Sequence, residues 1–331
     1  MRSHLTRTLT LMSSICMLVL TACGGNNATA SGQHNLTIGL TYVPNIQFAP
    51  VYVADALGYY KDAGLNVTIR HHSFSEDEFG ALVSGQEQVI YAGGDEVVQA
   101  RSKGIAITYV ASIYTQYPVE LMVPAGSPIR SAADLRGRTI GIPGPYGATY
   151  IGLLSLLQNS GLTVKDVTIQ YINYTQVPAL VGGKVDAVMG YLNNESIQFG
   201  KLNFAIRTLP IFAQGQAAFI SNGVAALQPE LSGHGDDVKR MVAATLKGLA
   251  YVRDHPQDAV RLSQKYVPGL TDATQSANAL AVLTASIPLW TGAGTPQDAA
   301  TWQAMGQFLQ THGLIDKAVD TASCFTNAYL G

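Results

Sequence analysis

LTIGLTYVPNIQFAPVYVADALGYYKDAGLNVTIR, residues 36 to 70, decides the fold. Leu36 to Leu40 alternates β-branched and apolar residues as a buried strand does, and the apolar spacing from Pro50 to Ala63 is helical, stopping at Gly64, a residue suited to the position just past a last helical turn. Asn66 to Arg70 then returns to strand pattern. Between the first strand and the helix stand an aromatic residue, a proline and two amides, Tyr42, Pro44, Asn45 and Gln47, where a simple strand-to-helix turn needs none of them.

The same alternation runs on. A helix is predicted over 77–84, a strand over 88–92, a helix over 96–103 ended by Gly104, and a strand over 108–113. Near Gln116 the pattern restarts. An extended run, Val119 to Val123, precedes SPIRSAADLRGRTIGIPG, where Ser131 suits the cap of a short helix before a strand at 139–142. Helix 149–159, strand 167–172, helix 175–182 and strand 186–190 repeat the first half; 203–210 and 219–223 form a return path, and helices follow over 236–254, 256–266, 271–285 and 296–312. Strands separated by helical patterns specify α/β layers with mostly parallel sheets. The reading is a two-lobed α/β fold: lobe 1 over 36–118, lobe 2 over 119–210, and a return to lobe 1 over 211–331, with crossings near 116–122 and 208–222. Ligands belong in the crevice between such lobes, beyond the carboxyl ends of the strands.

The first 22 residues carry two arginines, an apolar stretch from Leu9 to Leu20 and no acid, the layout of a secretory signal too short for a permanent span. They close on Leu20-Thr-Ala-Cys23, which resembles the bacterial lipobox, so Cys23 is expected to carry a lipid, with the polar stretch 23–35 as a flexible leash. The expected location is the extracytoplasmic face of the membrane.

The 331 residues are 47% hydrophobic and 13% charged, enough to bury a substantial core. Loss of Arg2 and Arg7 with the signal moves the formal charge from −2 to −4, which offers nucleic acid no attraction. With Cys16 in the signal and Cys23 at the lipid site, Cys324 alone supports neither a disulfide framework nor a metal cluster. His71 and His72 are adjacent on a strand, so they point to opposite faces; no third ligand accompanies them and they read as a surface or rim pair. No metal is expected.

YVPNIQFAPVYVADALGYYKDAGLNVTI, DLRGRTIGIPG and KVDAVMGYLNNE together resemble the substrate-binding proteins of ABC importers, in the branch similar to the thiamine-pyrimidine-precursor synthases, over about residues 35 to 320. PNIQFAP at 44–50, RHH at 70–72, AGGDE at 92–96 and GYLNNE at 190–195 are its more specific motifs and look most like the riboflavin-binding members. The pyrimidine-precursor members usually carry tryptophan where this chain has Tyr42. The resemblance implies a type II periplasmic-binding-protein fold, a monomer that captures riboflavin between its lobes, and a membrane permease with separate ATPase subunits as partners. A thiamine pyrimidine precursor is the alternative cargo, and a ligand-sensing lipoprotein without transport partner the alternative class. The synthase activity, as the resemblance implies, needs an iron-binding histidine set and a cysteine-rich segment that this chain lacks, and no GxSxG or HExxH pattern appears, so no catalysis and no cofactor are expected.

A flavin asks for aromatic faces, amide-like groups at its uracil edge and polar groups for its ribityl hydroxyls. The strand-end loops supply that mixture: Tyr42, Asn45 and Gln47 after the first strand, Tyr91 and Asp95 at the third, and Tyr114 and Tyr117 after the fourth. The second half adds Tyr146, Thr149, Tyr174, Gln176, Tyr191, Asn193 and Glu195, and the helical tail adds Trp290. Two readings stand for several of these. Asn45 and Asp95 suit helix capping as well as ligand contact; Gly144 to Thr149 offers helix-terminal amides but neither P-loop spacing nor its lysine; Trp290 fits core or cleft wall.

Overall fold

The computed structural model describes residues 34–73, 76–212 and 219–330. The expected signal at 1–22, the lipid site Cys23, all but the last two residues of the leash, and positions 213–218 of the second crossing lie outside the described residues.

β1 (His34–Leu40) begins two residues before its predicted start. Asn45 caps the short 3-10 turn that follows, its side chain accepting the Gln47 N–H at 3.1 Å, and α1 (Ala49–Ala56) then carries Pro50 in its first turn, where the missing N–H costs nothing. The single helix expected over 50–63 is two, α1 and α2 (Tyr59–Asp62), because Gly58 between them takes the left-handed conformation at φ 76°. β2 (Leu65–His71), α3 (Gly80–Val83), β3 (Val89–Gly93), α4 (Gly94–Ser102) and β4 (Ile107–Ser112) complete the first run. The second run is β5 (Val119–Pro124), β6 (Thr139–Ile142), α5 (Gly147–Asn159), β7 (Thr168–Tyr171), α6 (Gln176–Val181), β8 (Ala187–Tyr191), α7 (Glu195–Lys201) and β9 (Ile206–Leu209). The chain ends with β10 (Asn222–Leu227), α8 (Gln228–Asp254), α9 (Pro256–Ser263), α10 (Ala273–Ser286) and α11 (Ala299–Thr311).

Two five-stranded sheets result, in the orders β2-β1-β3-β10-β4 and β7-β6-β8-β5-β9. Ile38 lies opposite Ile69 of β2 and Val89 of β3 in parallel register, while β10 runs antiparallel to both its neighbours, placing Val224 opposite Tyr91. In the second sheet β5 is likewise antiparallel to β8 and β9. Each sheet thus has one reversed strand, and in both it is the strand by which the chain arrives from the other sheet. The return strand was expected at 219–223 and stands at Asn222–Leu227. Its sequence NGVAAL lies inside the sheet and is largely buried, so it lacks the polar alternation that marks a half-exposed strand. The helix α7 was not anticipated.

Leu36, Ile38 and Leu40 of β1 pack with Tyr52 of α1, Met241 of α8 and Leu283 of α10 on one face of the first sheet. Its other face, with Ile90, Tyr109 and Trp302, is continuous with Leu121, Ile140 and Leu153 of the second lobe. A smaller cluster around Met122, Val188 and Phe199 covers the outer side of the second sheet. Each fully buried apolar side chain of this size contributes about 1.5–3 kcal/mol.

The histidine pair departs from expectation. The strand sends the two rings to opposite faces, but His72 is buried, its Nε2 2.8 Å from Glu87 Oε1, which also receives Arg70 Nη1 at 2.7 Å; Arg70 pairs with Glu76 as well. The buried carboxyl of Glu87 gathers both side chains around it. His71 Nε2 lies 2.7 Å from Tyr52 Oη. Cys324 is buried without a disulfide, its thiol pushed up to about 11 by burial, and its carbonyl accepts the Tyr109 N–H at 2.8 Å. Among the described residues no helix is long and apolar enough to cross a membrane, and no group of three or more His, Cys, Asp or Glu is placed to hold a metal ion.

Candidate functional site

A cavity with about 1120 Å³ of atom-free space, part of it open to solvent, lies between the two sheets where strands end and helices begin. From the first lobe come Tyr42 and Gln47 of the β1 turn, Tyr91 of β3, Asp95 of α4 and Tyr114 after β4; from the second come Tyr146, Thr149, Tyr174, Gln176, Tyr191 and Glu195. These are eleven of the fifteen residues singled out from sequence as binding candidates, brought to one wall system by the common βα turn geometry of both sheets.

Four others stand elsewhere. Asn45 spends its side chain on the Gln47 N–H, so capping is its role in the structure. Tyr117 is buried in an aromatic nest with Phe212 and Phe219, and its hydroxyl donates to the Ala148 carbonyl at 3.2 Å. Asn193 is 0% exposed, its Nδ2 donating to Ser286 Oγ at 2.7 Å and Tyr114 Oη at 3.2 Å, which ties the loop after β8 to the first lobe. Trp290 is core: it packs edge-on against Tyr114 at 5.8 Å, behind the cavity wall.

Thr41, Phe48 and Asn222, outside the set read from the sequence, also line the cavity, as does Asn194, an amide of the GYLNNE motif. Thr41 Oγ1 donates to the Tyr91 carbonyl at 2.7 Å and holds the β1 turn against β3. Phe48 stacks its edge on Tyr91 at 5.4 Å. Thr41 and Phe48 sit inside the turn already marked by its amides, and Asn222 opens a largely buried strand with no polar alternation to mark its start.

The polar end of the cavity is acidic. Asp95, Glu96 and Glu195 line it. Glu96 Oε2 accepts the Gly93 N–H at 2.6 Å at the start of its own helix, and Glu195 Oε2 accepts the Tyr191 N–H at 2.7 Å at the end of β8. That leaves the Asp95 carboxyl for the cavity: at 3% exposure, its Oδ2 has no hydrogen-bond partner among the described residues. Burial first, then the neighbouring Glu96, holds it well above the usual aspartate range, which favours the protonated, hydrogen-bond-donating form. Burial also raises Glu195 against the pull of the Tyr191 amide. Tyr91 Oη, in a side chain 4% exposed, is a second polar atom on this wall without a partner among the described residues. Buried groups of this kind cost stability unless something completes them.

At the mouth, Tyr42 of the first lobe meets Tyr174 of the second edge to face, with ring centroids 6.0 Å apart and planes at 68°. Tyr146 and Tyr174 remain about half exposed there, at 53% and 49%.

Two mixed sheets wrapped by helices around a cleft define the periplasmic-binding-protein fold. The solved periplasmic aliphatic sulphonate binding protein SsuA of Escherichia coli superposes with a TM-score of 0.72 at 18% identity, covering 88% of this chain and 91% of that one. The chain belongs to the NMT1/THI5-like family, whose model matches residues 45–259. Among curated relatives, the riboflavin-binding protein RibY of Chloroflexus aurantiacus is 32% identical over 94% of this chain and 90% of its own length. The 4-amino-5-hydroxymethyl-2-methylpyrimidine phosphate synthase of Legionella pneumophila is 23% identical over 92% of this chain and 94% of its own.

Proposed function

We propose that this chain is the extracytoplasmic solute-binding component of an ABC importer, and that it carries riboflavin in the cleft between its lobes. The observation that supports this most is the pairing of an aromatic-walled cavity with two buried polar atoms, Asp95 Oδ2 and Tyr91 Oη, that lack partners among the described residues. A flat heterocycle with carbonyl and ring-nitrogen groups at one edge suits both. The amides of Gln47, Gln176 and Asn194 and the hydroxyls of Thr41 and Thr149 supply contacts for a polyhydroxyl chain. The name of the Chloroflexus relative agrees with this cargo.

A second reading, a carrier of a thiamine-type aminopyrimidine, is favoured by the name of the Legionella relative and by the carboxyls, which suit an exocyclic amine. In either case the work is capture and release without catalysis: a ligand touching both walls favours the closed arrangement only to the extent that it binds it better. A monomer held to the membrane by lipid on Cys23, presenting its closed form to a permease with separate ATPase subunits, completes the proposal. The test is a titration of riboflavin into the purified chain, following flavin fluorescence. Saturable quenching at one ligand per chain supports the reading; a folded protein that leaves the fluorescence unchanged removes riboflavin, and binding of the aminopyrimidine instead moves the assignment to the second reading.

A further inference from the structure

Of the carboxyls that line the cavity, two are already engaged. Glu195 has both oxygens taken, Oε2 by the Tyr191 N–H at 2.7 Å and Oε1 by the side-chain amide of Asn194 at 3.0 Å. Glu96 Oε2 accepts the Gly93 N–H at 2.6 Å, and the Glu96 side chain also bonds Glu78 behind it. Two carboxyls bond each other only with a proton between them, and Glu78, raised by burial and then by Glu96, supplies it.

Asp95 is different. The backbone amides of Asp95 and Glu96 bond its carboxyl, and because Oδ2 has no partner among the described residues, the oxygen they hold is Oδ1. A Cβ at position 93 would stand 2.6 Å from Oδ1, so the glycine makes the space in which this oxygen turns onto the helix start. An oxygen that accepts amides is the poorer seat for a proton, so a neutral carboxyl here carries its O–H on Oδ2, in the cavity wall.

The side chains around Asp95 oppose its ionisation. Glu96 stands beside it on α4, Glu78 approaches from the turn before α3, and the phenols of Tyr109, Tyr117 and Tyr191, each raised first by burial, feel Asp95 in turn. No lysine, arginine or histidine lines the cavity. Turns and helices that start at Gln47, Gly147 and Gln176 also face it and attract negative charge, but the amides that bond Asp95 belong to its own helix and act on Oδ1.

We propose that Asp95 reads its ligand as a neutral carboxylic acid, with Oδ2–H donating to a carbonyl oxygen or bare ring nitrogen at the edge of the heterocycle, and that capture therefore draws a proton from solution. This rests on the reading of the cavity as a flavin site and fixes the direction of one hydrogen bond in it. An ionised Asp95 would face that same acceptor with a second acceptor. Loss of the proton thus costs the closed complex more than the free cleft, where water reaches the charge. The complex holds the proton more tightly than the free protein does. Affinity is then greatest below the free protein's raised carboxyl value and is lost as pH rises through it, by at most about tenfold per pH unit.

The test is calorimetric titration of the purified chain with riboflavin at pH 7 in buffers of different ionisation enthalpy, which counts the protons exchanged on binding. Uptake of up to one proton is expected. Fluorescence titrations are expected to show affinity at least about tenfold higher at pH 5 than at pH 8. In Asp95→Asn the helix-start amides fix the side-chain oxygen in the place of Oδ1, so its N–H donates from the place of Oδ2 without titrating. That variant is expected to lose the proton uptake and to bind more tightly than the parent at pH 8. Glu96→Gln keeps an acceptor for the Gly93 amide and removes the charge beside Asp95, so the fall in affinity is expected to move to lower pH. Riboflavin binding without proton uptake and with a flat pH profile overturns the inference and leaves the flavin reading intact. Uptake that persists in Asp95→Asn assigns the proton to the Glu78–Glu96 pair and overturns the role of Asp95; if that variant does not fold, a profile unmoved in Glu96→Gln overturns it instead. A folded chain that binds no riboflavin across this range removes the flavin reading and the inference with it.

Discussion

The ring of Tyr42, at the end of the first strand of one lobe, meets the ring of Tyr174 from the other lobe edge to face, 6.0 Å between centroids. The contact spans the cleft at its mouth, and both residues also line the cavity. Its strength therefore enters the closed state and is absent whenever the lobes part.

Replacement of Tyr174 by alanine removes that contact and a wall of the cavity. An aromatic pair contributes about 0.5–1.5 kcal/mol beyond its buried area, so riboflavin affinity is expected to fall roughly three- to tenfold or more. The melting temperature of the free protein should change little, because Tyr174 is half exposed. A titration beside a thermal melt separates the two effects; unchanged affinity contradicts the role of the tyrosine pair.

Asn193 makes the opposite prediction. It lies out of the cavity and ties the lobes through Tyr114 and Ser286. Asn193→Ala should cost about 1–3 kcal/mol of stability by leaving buried partners unsatisfied, read as a lower urea midpoint. A variant as stable as the parent would show that the amide is dispensable to the fold.

Gly39 is required by a neighbour rather than by its own backbone. A Cβ there would stand 2.1 Å from Glu87 Oε2, the carboxylate that holds Arg70 and His72. Gly39→Ala must displace that buried acid from Arg70 and His72, with an expected loss of about 3–5 kcal/mol. Chemical denaturation measures it, and a loss below about 1 kcal/mol would mean that the network yields without cost.

Asp95 predicts a pH dependence. Its carboxyl is held above the ordinary 3.8 by burial, then by Glu96, and Glu78, also raised by burial and then by Glu96, shares that acidic neighbourhood. The folded protein binds this proton more tightly than the unfolded chain does. The contribution is thus fully present below the ordinary aspartate value and is lost as pH rises through the raised one. Asp95→Asn should gain stability relative to the parent at pH 8 and much less near pH 4, in thermal melts at both. An equal difference at the two values contradicts the raised carboxyl.

Much of this architecture is legible in the chain, because the strands and helices of both lobes follow hydrophobic periodicity, and a βα turn delivers whatever residues follow the strand to the same edge. Tyr42, Asp95 and Tyr174 reach the cavity for that reason. Periodicity does not say which way a side chain turns within a loop. Asn193 and Asn194 are adjacent amides with one sequence signal, yet the first is buried across the lobes and the second lines the cavity. Asn45 likewise is drawn to the nearest unpaired amide, one that only its own turn creates. The buried return strand β10 escaped its correct start because small apolar residues on both faces leave no alternation to read.

A crystal structure grown with riboflavin decides whether the cleft of Asp95, Tyr91 and the facing tyrosines holds that ligand. The ring system is expected between the lobes, with a polar atom within hydrogen-bond distance of Asp95 Oδ2 or Tyr91 Oη and aromatic contact from Tyr42 or Tyr174. Riboflavin bound outside this cleft, or a closed protein whose cleft holds only water at saturating ligand, would contradict it.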